Sequence, residues 1–238
     1  LTNITVNVPS DAKGKVIIEI DGVNYTATIK DGKAVFNNET GLGIGKYNIT
    51  AYFGNDKYAN KTSTGVFYIT RHVTPISISV DPIKVGDKAV ITVTVPKAVS
   101  GNVTIEIEGI EYTAVIKGGK ATFEIDDLTS GNKTVVVKYV GDQYYNENVT
   151  STQFVVSKKE SKIDASSIDI SAGKNEIITV NVPSDATGKV LVKIKGIGYY
   201  ADVINGKAKV IIPDLPAGKY TATVYYQGDD KYLPSDNV

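Results

Sequence analysis

The side chains with chemical reach in this sequence are carboxylates, phenols, amides and a single imidazole, His72, which follows Arg71. Nucleophilic catalysis needs a nucleophile, a base and a group that orients the base, and one isolated histidine gives it nothing to build on. His72 therefore reads as a linker residue. Asp142, Asp229 and Asp230 sit beside glycines; a hard cation wants six or more converging oxygens, so these read as turn formers rather than calcium ligands. Glu106 and Glu108 alternate with Ile105 and Ile107 and read as solvated strand charges. Cysteine is absent, which removes disulfides and thiolate metal sites. The expectation is no catalytic residue, no metal site, no cofactor and no enzyme.

Amides and phenols say more. Asn-x-Ser/Thr sequons begin at Asn3, Asn24, Asn38, Asn48, Asn60, Asn102, Asn132 and Asn148. Most fall on the outward phase of an alternating pattern, where a glycan fits, so they are candidate N-glycosylation sites. Fifteen tyrosines stand against five phenylalanines, and pairs such as Tyr144-Tyr145, Tyr199-Tyr200 and Tyr225-Tyr226 must put one ring on each face of a strand. Three or four phenols should then be exposed. A covalent lysine amide would need a buried lysine, and only Lys133 shares the inward phase of Val135 and Val137.

These groups need elements to position them, and composition bounds what those elements are. A 238-residue chain with 42% hydrophobic residues can bury two or three small cores. Its 26 basic and 26 acidic residues leave no net charge with which to grip a nucleic acid. No apolar run approaches the roughly 20 residues of a bilayer helix, and no secretory leader pattern stands at the start, so this segment is not expected to insert directly in a membrane.

The organising signal is a repeat. "TIKDGKAVF" returns as "VIKGGKATF" and "DVINGKAKV", with Gly32, Gly119 and Gly206 spaced by 87 residues. Pro9, Pro96 and Pro183 keep the same interval, as do Gly22, Gly109 and Gly196. Within each copy the apolar residues alternate: Ile91, Val93, Val95, then Val103, Ile105, Ile107, then Tyr112, Ala114, Ile116, and so on to Phe154 and Val156. That period belongs to strands with one buried face. With an opening strand near Ile76 to Val80, each complete copy has seven short strands.

Asp31-Gly32, Gly118-Gly119 and Asn205-Gly206 are dipeptides suited to a two-residue type I′ hairpin. Seven strands, a tight hairpin and no helix fit an immunoglobulin-like β-sandwich. "LGIGKYNITAYF" and "LPAGKYTATVYY" place Tyr47 and Tyr220 as tyrosine corners, while the second copy has Lys133 in that place. The fold expected is all-β, with three tandem immunoglobulin-like domains at 1–71, 72–158 and 159–238. The first is expected to lack its opening strand and the third its closing strand, as in a fragment cut from a longer array.

"GNVTIEIEG", "IKGGKATF", "LPAGKY" and the hairpins "YFGNDKY", "YVGDQYY" and "YYQGDDKY" resemble the bacterial-type immunoglobulin-like repeats of adhesin-like surface proteins, most closely those of methanogenic archaea. The first copy departs with Gly54-Asn55 in place of Gly-Asp. The resemblance implies an extracellular, cell-surface stalk that spaces an adhesive tip, with neighbouring repeats as partners. Two alternatives accompany it. One is a module that binds a surface glycan or host protein through exposed tyrosines and loops, and the other is a fibre subunit assembling by strand exchange.

Overall fold

An alternating chain makes strands with one dry and one wet face, and every regular element among the described residues is a strand. The computed structural model describes residues 3–37 and 41–237; Asn38 lies outside the described residues. The chain divides into two compact units, Leu1–Val73 with Gln143–Asn146, and Thr74–Asp142 with Glu147–Val238.

The first unit contains β1 (Ile4–Asn7), β2 (Lys15–Ile20), β3 (Val23–Lys30), β4 (Lys33–Phe36), β5 (Gly45–Phe53) and β6 (Lys61–Ile69), hydrogen-bonded in the order β1-β4-β3-β2-β5-β6. β3 joins the layers: Val23 to Thr28 pair with β2, and Ile29 and Lys30 pair with β4. The inward residues Val16, Ile18, Ile20, Ile29, Ala34 and Phe36 make the core.

The second unit begins with β7 (Ser77–Ser79), β8 (Ile83–Lys84), β9 (Ala89–Thr94), β10 (Asn102–Ile107), β11 (Ile110–Val115), β12 (Lys120–Ile125), β13 (Gly131–Tyr139) and β14 (Asn148–Ser157). They form a sheet β12-β9-β7 and a sheet β11-β10-β13-β14-β8, burying Ile91, Val93, Val103, Ile105, Val135 and Val137 almost completely. It continues with β15 (Asp164–Ser166), β16 (Glu176–Asn181), β17 (Lys189–Ile194), β18 (Ile197–Asp202), β19 (Lys207–Ile212), β20 (Ala222–Tyr226) and β21 (Ser235–Asn237), in sheets β15-β16-β19 and β18-β17-β20-β21. A separate core forms there around Val180, Val190, Val192, Val210 and Ile212. The chain is thus all-β and of sandwich type.

Two strands differ from the alternation seen in sequence. β8 is only two residues long and parallel to the end of β14, with Ile83 opposite Val156. The closing strand β14 starts at Asn148, ahead of the Phe154 to Val156 stretch, and Tyr226 opposite Ser235 repeats the pairing of Tyr139 opposite Asn148. The third copy, expected to lack this strand, therefore has Ser235–Asn237 of it in place.

Each copy has two two-residue turns. In the second copy Glu108-Gly109 has φ of 51° and 77°, and Gly118-Gly119 has 58° and 81°. Only the latter is also squeezed. A Cβ on Gly119 would stand 2.7 Å from Val95 O, whereas nothing lies within 4 Å of one on Gly109. The close approach exists because Val95 N–H donates to Gly119 O at 2.9 Å.

Left-handed φ alone costs a non-glycine residue about 1 kcal/mol, and a backbone clash adds to that. Gly109→Ala should therefore destabilise by about 1 kcal/mol and Gly119→Ala by about 2–3 kcal/mol. Denaturant titration of the two variants checks this; equal losses would show that the approach to Val95 is not a constraint.

Candidate functional site

The polar side chains of each copy gather where the loop after the "VxVP" strand meets the closing hairpin. In the third copy Asp229 is the centre. Its Oδ2 accepts from Thr187 N at 2.7 Å and Thr187 Oγ1 at 3.1 Å, and its Oδ1 from Lys231 N at 2.8 Å and Tyr232 N at 2.7 Å. Burial works against the charge, but the N–H groups of Thr187, Tyr232 and Lys231 outweigh it and hold the carboxyl at about 2. Tyr226 donates its hydroxyl to Thr187 O at 2.9 Å. Burial first, then Asp229, raise its phenol above the ordinary range.

The second copy repeats this with Asp142 accepting from Ser100 N and Oγ, both at 3.1 Å, and Tyr139 donating to Ser100 O at 3.1 Å. The first copy carries two changes that offset each other. Phe53 stands where Tyr139 and Tyr226 stand and has no hydroxyl, and Asn55 replaces the aspartate; Asn55 Nδ2 donates to Lys13 O at 3.0 Å, supplying the hydrogen the missing phenol would have given. Asn55 Oδ1 still accepts from Lys57 N at 2.9 Å and Tyr58 N at 2.8 Å.

Beside this cage lies a carboxylate, a phenol and an ammonium. Asp185 accepts from Tyr232 Oη at 2.7 Å and Lys231 Nζ at 3.1 Å; Asp11 is bound in the same way by Lys57 and Tyr58. Lys57 first, then Tyr58, hold Asp11 at about 2; Tyr232 first, then Lys231, hold Asp185 below its ordinary value. The second copy has Ala98 there. Sequence reading passed over Asp11 and Asp185, although "VPSDA" occurs twice at Val8 and Val182.

At the other end of the copies, Tyr47 donates to Gly43 O at 2.9 Å and Tyr220 to Pro216 O at 2.6 Å, each four residues back. Lys133 fills that place in the second copy. Buried, it donates to Thr129 Oγ1 four residues back at 2.5 Å and to Glu108. Lys133 first, then Thr129, lower the Glu108 carboxyl. In the third copy Lys195 occupies the place of Glu108, and its ammonium lies 4.6 Å from the centre of the Tyr220 ring. Between these two copies corner residue and neighbour differ together, whereas the first copy has its corner tyrosine with Asp21.

Gly32, Gly119 and Gly206 have φ of 72°, 81° and 72° and sit against the backbone that follows Val8, Val95 and Val182. Among the sequons Asn3, Asn24, Asn48, Asn60, Asn102 and Asn132 are exposed, while Asn148 is half-buried with Nδ2 donating to Thr74 O at 2.6 Å. Tyr52, Tyr68, Tyr144 and Tyr200 are exposed. His72 pairs with the Gln143–Asn146 segment of its unit, donating from N to Tyr144 O at 2.7 Å with its ring 5.5 Å from that of Tyr145. Among the described residues no three His, Cys, Asp or Glu converge on a metal position, and no helix is long and apolar enough to cross a membrane. The polar groups of the cage bind one another and so lock the two loops together.

No protein-family model matches the chain, and no curated protein matches it. Among similar solved structures is a 1.5-MDa bacterial ice-binding adhesin, 16% identical, with 98% of this chain and 88% of that chain covered and a TM-score of 0.33. Another is a Ca2+-stabilised, ice-binding adhesin of an Antarctic bacterium, 17% identical over 99% of this chain and 66% of that chain, with a TM-score of 0.33. The central fibronectin-III array of RIM-binding protein is 15% identical over 98% and 90%, with a TM-score of 0.27. Likeness this loose carries no function across.

The lock has a pH signature. Asp229 is depressed to about 2, below the ~3.9 of an unfolded aspartate. Its contribution is therefore complete above that unfolded value and lost as pH falls through the folded one. The wild type should lose on the order of 1–2 kcal/mol more than Asp229→Asn between pH 5 and pH 2, and the variant should be the less stable at pH 7. Urea unfolding at the two pH values measures this, and parallel losses in both proteins would remove Asp229 from the account.

Proposed function

We propose that the chain is a non-catalytic spacer from an extracellular, adhesin-like surface protein, built of tandem immunoglobulin-like domains at 1–71, 72–158 and 159–238 and holding a binding tip away from the cell. One observation carries the reading: β8, near the start of the second domain, runs parallel to the end of β14, its last strand. Tension on the two ends of the domain drags these strands along their length in opposite directions. Their bonds, including Val85 N to Ser157 O at 2.9 Å, then carry load together instead of opening one after another.

The next domain is attached without slack. The chain leaves β14 at Ser157 and is paired again at Lys159, whose N–H donates to Lys231 O at 2.7 Å and whose C=O accepts from Leu233 N at 2.8 Å. Ser161 Oγ adds a bond to Leu233 O at 2.7 Å, and Lys158 donates to Asp229 O. The tyrosine and glycine-aspartate hairpins that resemble adhesin repeats support the same reading. The exposed Tyr52, Tyr68, Tyr144 and Tyr200 favour a second one, a glycan- or protein-binding module; saturable binding on a glycan array, lost in Tyr68→Ala, would select it.

Single-molecule pulling tests the spacer. Val85→Pro deletes the donor to Ser157 O, so one domain should rupture at clearly lower force, while equilibrium stability falls by only about 1 kcal/mol. An unchanged force profile would refute the load path.

The exposed sequons are proposed to carry glycans on protein from the native organism. Asn48 and Asn102 should be modified, and Asn148, whose Nδ2 is engaged by Thr74 O, should not. Intact-mass and peptide analysis decides; bare Asn48 and Asn102, or a glycan on Asn148, would contradict this assignment.

A further inference from the structure

Glu176 is the one buried side chain among the described residues with an oxygen, Oε1, that has no hydrogen-bond partner. It is 7% exposed and opens β16 opposite Ile212. In the second copy the matching residue, opposite Ile125, is Ala89, which is fully buried. The strand position therefore faces inward, and a carboxylate there is costly until something answers its charge.

Glu176 lines a cavity of about 410 Å³ between the segment around Ile168 and the loop before Tyr220. Its walls include Ile168, Ile178, Ile194 and Leu215, with Asp169 and Lys219 also on the lining. A buried carboxylate with aliphatic side chains beside it suits an alkylammonium, whose stem they can cover, better than a hard metal ion, which would need many oxygens. Lys219 belongs to the same chain yet leaves Oε1 unbonded.

The second copy shows what approaches this end of a domain. There a cavity of about 550 Å³ is lined by Gly86 and Leu128 on one side and by Lys159, Asp185 and Lys231 of the third copy on the other. Lys159 Nζ lies over Gly86, 3.1 Å from where a Cβ would stand. Gly173 holds the place of Gly86 in the third copy, 87 residues on and three before Glu176.

We propose that the cavity at Glu176 is a socket for a lysine ammonium on the leading segment of another domain of this repeat type, with Glu176 as its counter-charge. The proposal rests on the tandem-array reading and names the residue that distinguishes this end of the third copy. A buried carboxylate at the socket makes docking selective, because a segment without the lysine leaves the charge unanswered.

The probe is a synthetic peptide with the sequence of residues 157–162, SKKESK, titrated into the whole isotope-labelled chain while the carboxyl carbon of Glu176 is followed by NMR. Saturable movement of that signal is expected. Glu176→Ala and Glu176→Gln, monitored through the surrounding amides, should bind at least about tenfold more weakly, as should a peptide carrying Lys159→Gln. Without peptide, Glu176→Ala should melt higher than wild type, since Ala89 shows that alanine packs at this position. Undiminished binding by Glu176→Gln, absence of binding, response to calcium ion in place of the peptide, or a lower melting point for Glu176→Ala would each overturn the socket. The rupture force of the second domain is a separate measurement, so failure of the socket and failure of the spacer reading are told apart.

Discussion

The hydrogen bond from a strand-end valine to a turn glycine sets the geometry of every copy. Val8, Val95 and Val182 each donate to the carbonyl of Gly32, Gly119 and Gly206 at 2.9 Å. The bond draws two backbones so close that no side chain fits between them. It ties the second hairpin to the end of β1, β9 or β16 and so fixes where the following loop, with its Pro9, Pro96 or Pro183, leaves the sheet. That loop then meets the closing hairpin, and the polar cage forms at the meeting point. Without the approach, Asp229 and Thr187 would have no fixed separation.

At two polar sites the copies differ in pairs of residues, because a hydrogen-bonded polar group cannot lose one partner cheaply. Phe53 and Asn55 together replace a phenol and a carboxylate while the carbonyl of residue 13 keeps a donor. Lys133 with Glu108 stands where Tyr220 stands with Lys195: an ion pair in the second copy takes the place of a cation over a ring in the third. Glu176 stands apart from this rule, since the same strand position is met by alanine in the second copy and nothing within the third copy changes to answer it.

Strands, their inward faces and the glycine of the second hairpin were legible because each rests on a local pattern: a period of two, or a dipeptide that tolerates positive φ. β8 was not, since two residues cannot display a period, and its parallel pairing joins positions more than 70 residues apart. The first hairpin turn was missed for another reason. Its leading residue is Asp21, Glu108 or Lys195, all held at φ near 50°, and glutamate and lysine are poor markers of a left-handed backbone. Of the polar cage, the tyrosine and glycine-aspartate hairpin stood out in sequence, but Asp11 and Asp185 are brought to it from more than 40 residues away and gave only a repeated pentapeptide as signal.

The fifth strand of the first unit does not keep the common interval. Ile18 faces Ala51 and Ile105 faces Val137, so the partners of residues 87 apart are themselves only 86 apart. The step is gained between Phe36 and Leu42 and returned after Phe53, where Val140 of the second copy has no counterpart. In a strand one residue is the whole difference between inside and outside. Genetic exchange between the first and second copies in the 87-residue frame, with a breakpoint inside this strand, would encode a chain of normal length whose tyrosines and valines point the wrong way. The offset thus keeps the buried face of this strand in place by two compensating steps, one residue more ahead of it and one fewer behind, so that neither step is tolerable without the other.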